Sequence, residues 1–132
     1  MRPIRVLVVD EHPEVRRALN SLLGVSPRLE VLPSAQNFAA GLRFAETLHP
    51  DIVVVEPRVR GKRDPAPGVE EMIREFGARH AATIVLTSYS IEGEREIALN
   101  AGARRYLLKD IDAAGLIGEI EAVAAEAGAA KA

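Results

Sequence analysis

The chain contains no cysteine among its 132 residues. That removes a disulfide framework, a thiolate zinc site and thiol redox chemistry. An excess of charge of one sign is also lacking: the formal net charge is −2, which gives no electrostatic reason to expect direct nucleic acid binding. No apolar run approaches the length of a membrane span, and the N-terminus lacks the apolar stretch and cleavage site of a signal peptide. The expectation is a cytoplasmic protein with no membrane partner. What is present, 48% hydrophobic and 27% charged residues, is the composition of an ordinary soluble globular protein, and the length suits one domain around one core.

The apolar pattern alternates between two kinds of segment. Arg5 to Val9 is a strand-length, β-branched run without polar alternation, as expected of a strand buried on both faces. Pro13 suits the first turn of a helix, where no amide donor is needed, and Val15, Ala18, Leu19, Leu22 and Leu23 then form one apolar helix face, ended by Gly24 and Pro27. Leu29 to Leu32 reads as a short strand nearer an edge, because Glu30 interrupts it. Ser34 to Asn37 offers N-cap candidates for a helix marked by Phe38, Leu42, Ala45 and Leu48 and ended by His49-Pro50. Asp51 to Val55 is a third strand, and residues 57 to 67 a loop. Val69, Met72, Ile73 and Phe76 mark a third helix, ended by Gly77. Thr83 to Leu86 is a fourth strand, Glu92 to Asn100 a weaker helix broken by Ala101-Gly102, and Tyr106 to Leu108 a fifth strand. Leu116, Ile117, Ile120, Val123 and Ala124 face a last helix. Strand followed by helix, five times over, predicts an α/β fold with a parallel sheet covered on both faces.

In a parallel sheet the C-terminal strand ends share one edge, and ligands gather there. The polar residues at those ends are Asp10 and Glu11, Glu56, Thr87 and Lys109. Three carboxylates offer hard oxygen ligands for Mg²⁺; a hydroxyl and an ammonium beside them suit phosphoryl oxygens. His12 reads as a surface or helix-start residue, and His49 and His80 as loop residues without partners at metal-ligand spacing.

These residues and their surroundings resemble the receiver domain of bacterial two-component response regulators, in the NarL/FixJ-like branch. VLVVDEHPEVR is similar to the acidic-pair segment, HPDIVVVEP to the phosphoacceptor strand, IVLTS to the strand carrying the switch hydroxyl, and NAGARRYLLKD to the segment bearing the switch aromatic and the lysine. The resemblance covers nearly the whole chain. It implies a CheY-like, flavodoxin-like (βα)5 doubly wound sheet of strand order 2-1-3-4-5, and a receiver-like domain over residues 1–127 followed by a tail or linker at 128–132. It also implies roles. Asp10, Glu11 and Glu56 would form the Mg²⁺ site. Thr87 and Tyr106 would be the hydroxyl and aromatic that move together, and Lys109 the ammonium on the acceptor carboxylate or its phosphate. The implied partners are a sensor histidine kinase, an output domain or protein partner, and a second copy in a homodimer. NarL/FixJ-like relatives usually carry a DNA-binding output domain; the Ala-rich end here fits both a chain cut after Ala132 and a naturally single-domain protein.

The sequence departs from that pattern in two places. Glu56 stands where the family has its phosphorylatable aspartate. One more methylene moves the carboxylate outward by about 1.5 Å, enough to spoil in-line attack, while imitating in part an acyl phosphate. The expectation is an atypical, phosphorylation-independent or constitutively on module without enzyme activity. The alternatives are phosphorylation on Glu56 itself and a metal-dependent phosphohydrolase of similar fold. The latter reading would make Asp10 the nucleophile, yet Glu11-His12-Pro13 lacks the second aspartate such enzymes commonly show. A flavin carrier is disfavoured because the turn after the first strand is acidic and would repel phosphate. The second departure is the basic loop containing Arg58, Arg60, Lys62 and Arg63. One of these side chains folding over the three mutually repelling carboxylates in place of Mg²⁺ is a further expectation.

Overall fold

In a computed structural model, residues 2–57, 68–88 and 90–131 are described. The element order is β1 (Ile4–Val9), α1 (Pro13–Leu23), β2 (Leu29–Val31), α2 (Phe38–Leu48), β3 (Ile52–Val55), α3 (Val69–Ala78), β4 (Ala82–Thr87), α4 (Glu94–Ala101), β5 (Arg105–Leu108) and α5 (Ala113–Lys131). The five strands form one parallel sheet in the order β2-β1-β3-β4-β5, the flavodoxin-like order that the family resemblance implied.

Alternation along the strands divides the core. Leu7, Val9, Val53, Val55 and Val85 point to the face packed by Met72, Ile73 and Phe76 of α3 and by α2 and α4. Val6, Val8, Ile52, Val54, Ile84 and Leu86 point to the other face, where Leu23 of α1 and Leu116, Ile120 and Val123 of α5 cover them. This explains the unbroken apolar runs of the central strands: Val6–Val9, Ile52–Val55 and Thr83–Thr87 are buried whichever way each residue points. β2, carrying exposed Glu30, is an edge strand.

Local chemistry fixes the ends. Pro13 occupies the first turn of α1. The Asn37 side chain caps α2 by accepting the Ala40 N–H at 2.8 Å, and His49 closes that helix in the left-handed region with φ 51°. Gly77 does not end α3 as expected. The helix runs on to Ala78, with Arg79 as its cap, and the reversal is made at His80, φ 66°. A glycine near a helix end weakens the helix without compelling it to stop, so the turn falls where His80 can adopt the left-handed conformation. The pairing of Val9 with Val55, and of Val55 with Val85, aligns the ends of β1, β3 and β4 along one edge. No helix among the described residues is long and apolar enough to cross a membrane.

Candidate functional site

The edge alignment brings Asp10, Glu56, Thr87 and Lys109 together. Asp10 follows β1 directly, and its own N–H donates to the Ala35 carbonyl at 3.0 Å. Glu56 follows β3, with its N–H on the Val9 carbonyl at 3.0 Å. Main-chain bonds to neighbouring segments therefore hold both acidic residues at the sheet's end. Lys109 follows β5, its N–H donating to the Thr87 carbonyl at 2.8 Å. Thr87 itself is fully buried.

The two acids are almost removed from water: side-chain exposure is 2% for Asp10 and 4% for Glu56. Charged groups so placed require partners. Lys109 Nζ supplies one to both, 2.7 Å from Asp10 Oδ2 and 3.3 Å from Glu56 Oε2. The expected pairing of Lys109 with Glu56 is thus present, and the contact with Asp10 is the shorter of the two. Glu56 Oε2 also accepts the Ser88 N–H at 3.3 Å. The extra methylene of glutamate carries the carboxylate away from β3 to donors that belong to the ends of both β4 and β5.

The other oxygen of Asp10 is engaged as well. Oδ1 accepts the His12 N–H at 2.9 Å and lies 2.8 Å from His12 Nδ1, while Arg16 Nη1 donates to the Asp10 carbonyl at 2.6 Å. His12 is therefore more than a helix-start residue. It is the N-cap position of α1, and its ring rests against the acidic pair, with Nε2 3.7 Å from Glu11 Oε1. The signal for this was an aspartate two residues before a turn, the spacing at which a carboxylate accepts the backbone N–H of the residue two on. Glu11 itself is partly exposed.

Among the described residues, no three His, Asp or Glu side chains are arranged to hold a metal ion. Lys109, His12 and Ser88 engage both oxygens of Asp10 and Oε2 of Glu56, and the carboxylates of Asp10, Glu11 and Glu56 are oxygen donors of the type Mg²⁺ takes. Arg58, Arg60, Lys62 and Arg63, the expected basic lid, lie outside the described residues.

Tyr106 on β5 is partly buried, and its hydroxyl donates to Glu94 Oε1 at 2.5 Å. Glu94 was not singled out by sequence reasoning. It lies twelve residues from Tyr106, and only the packing of α4 beside β5 brings the two together.

Residues 6–121 match the response regulator receiver domain. The chain belongs to that family. It is 34% identical over 119 residues to the transcriptional regulatory protein LiaR of Bacillus subtilis, covering 90% of this chain and 55% of that protein. It is 30% identical over 124 residues to the nitrate/nitrite response regulator protein NarL of Escherichia coli K12, covering 93% of this chain and 56% of the relative. Among solved structures, a LuxR-family two-component response regulator from Aurantimonas superposes with a TM-score of 0.80 at 30% identity, over 94% of this chain and 86% of that one. The receiver thus spans about half the length of the curated relatives it matches. The fold and family expected from the sequence are both met.

Proposed function

We propose that this receiver is an atypical signalling module in which Glu56 occupies the phosphoacceptor place. Its state is held by the Glu56–Lys109–Asp10 contacts rather than set by phosphotransfer. The observation that carries this reading is the reach of the Glu56 carboxylate: Oε2 meets both the Ser88 N–H and Lys109 Nζ, each at 3.3 Å. A phosphoryl group on a shorter aspartate would present its oxygens in that direction, so the longer side chain imitates part of the modified state. Lys109 gives the two buried carboxylates one shared counter-charge, so the contacts that hold the module's state come from the chain itself. The output it controls is a transcriptional domain or a separate protein partner, the first favoured because LiaR is a transcriptional regulatory protein.

The test is intact mass after incubation with Mg²⁺ and acetyl phosphate, for the wild type and for Glu56→Asp. The wild type stays unmodified, and the variant gains a phosphoryl group on residue 56 because the lysine and the buried threonine are in place. A phosphoryl adduct on the wild type that maps to Glu56 would make it a working acceptor and overturn the reading. No adduct on either protein would leave Glu56 as one of several blocks to phosphotransfer.

A further inference from the structure

Helix α4 is short and lightly held. Within Glu94–Ala101 only Ala98 is buried; Leu99 and Ala101 pack partly against the α3-side core, and Ile97 stands half exposed. Its start is weak too: Gly93 precedes it with φ 84°, and no side chain caps the first turn. An element with so few buried contacts opens at lower free energy than the sheet it lies on. Against that background the Tyr106 hydroxyl, donating to Glu94 Oε1 at 2.5 Å, is a tie from the middle of β5 to the first residue of α4. A hydroxyl donating to a carboxylate is charge-assisted and about twice as strong as a neutral pair.

The surroundings give the tie a consequence. Tyr106 pairs with Val85, two residues before Thr87 on β4. The segment from Thr87 to α4 is held at its near end by the Ser88 N–H on Glu56 and at its far end by Glu94 on Tyr106. Both ends of one connection are thus fastened by carboxylate bonds, one at the acidic site and the other no more than about 20 Å of extended chain away (six residues at about 3.3 Å each).

We propose that Glu94 is a positioning residue: a latch that holds Tyr106 and the first turn of α4 together as one unit, so that moving the tyrosine frees the helix. The signalling consequence rests on the receiver reading above, but the latch is tested without phosphotransfer.

The measurement is native-state hydrogen exchange on the 132-residue chain and its Tyr106→Phe, Glu94→Ala, Glu94→Gln and Tyr106→Phe/Glu94→Ala forms. Tyr106→Phe keeps the ring and removes only the donor, and Glu94→Gln keeps an acceptor while removing the charge. Loss of one charge-assisted bond raises exchange of the α4 amides roughly tenfold in Tyr106→Phe and in Glu94→Ala. The double variant exceeds neither, and Glu94→Gln falls well below Glu94→Ala. Amides of β1 and β3 stay protected throughout, which separates release of the latch from loss of the fold. The proposal is overturned if Tyr106→Phe leaves α4 at the wild-type rate, if the two single effects multiply in the double variant, or if Glu94→Gln matches Glu94→Ala, which would assign the effect to charge at the helix start. Flat exchange in Tyr106→Phe sinks the latch and leaves the Glu56 reading standing. A wild-type phosphoryl adduct does the reverse.

Discussion

Lys109 Nζ sits 2.7 Å from one buried carboxylate and 3.3 Å from another, while its own side chain is 17% exposed. Such a lysine contributes less by attraction than by what its loss would strand. Removing one partner of a buried pair leaves charge without solvent or counter-ion, a cost of about 3–5 kcal/mol. Lys109→Met should therefore lower the urea-derived unfolding free energy by roughly 3 kcal/mol. Adding Glu56→Gln should restore part of that, since one stranded charge disappears. An unchanged midpoint in Lys109→Met would mean that His12 and main-chain donors already suffice for Asp10 and that Glu56 needs no cation. At this scale the sequence disclosed those side chains that end apolar runs, namely Asp10, Glu56, Thr87 and Lys109, because a polar residue after a buried strand marks the sheet's edge. It did not disclose the Ser88 N–H, which is a backbone donor with no side-chain signature. Nor did it disclose Glu94, whose meeting with Tyr106 depends on how α4 lies beside β5.

The approach of α2 to β1 depends on a missing side chain. A Cβ built on Gly41 would stand 3.0 Å from Val9 Cγ2 and 3.1 Å from Phe76 Cζ. Glycine in mid-helix ordinarily costs about 1 kcal/mol relative to alanine, so Gly41→Ala at an open position would stabilise. Here overpacking, worth roughly 1–3 kcal/mol, works against that gain. The expectation is a lower urea midpoint, together with shifted NMR resonances at Val9 and Asp10, since Val9 leads directly into the acidic site. A stabilised variant would show that Val9 and Phe76 yield freely. The strands and helices themselves were legible to within a residue or two, because a buried parallel strand reads as a continuous β-branched run and each helix as a stripe. The end of α3 was misplaced because Gly77, the residue with the stronger turn signal, lies inside the helix, while His80, a weaker turn signal than glycine though among the side chains that do enter the left-handed region, makes the turn. Strand order was not readable from periodicity at all. It depends on which strands share register, as Val9 does with Val55, and the pattern along one strand says nothing of its neighbour.

The two cores on either side of the sheet are not separable bodies. Val8 belongs to one and its neighbours Leu7 and Val9 to the other, and the same is true of Val54 between Val53 and Val55. Opening either layer of helices would expose strands whose opposite faces remain packed, and β3 pairs with both β1 and β4, so each layer's loss removes support from the other. A chain of this size with shared strands should unfold in one cooperative step. Far-UV circular dichroism and tyrosine fluorescence measured through urea should give the same midpoint and the same slope. Release of α4 by the Tyr106–Glu94 latch is a small excursion within that behaviour: it quickens exchange of a few amides in native buffer, where sub-global openings are seen, without populating a second state at equilibrium. A fluorescence transition that precedes the dichroism change would contradict this, since it would mean that the surroundings of a tyrosine give way before the secondary structure as a whole.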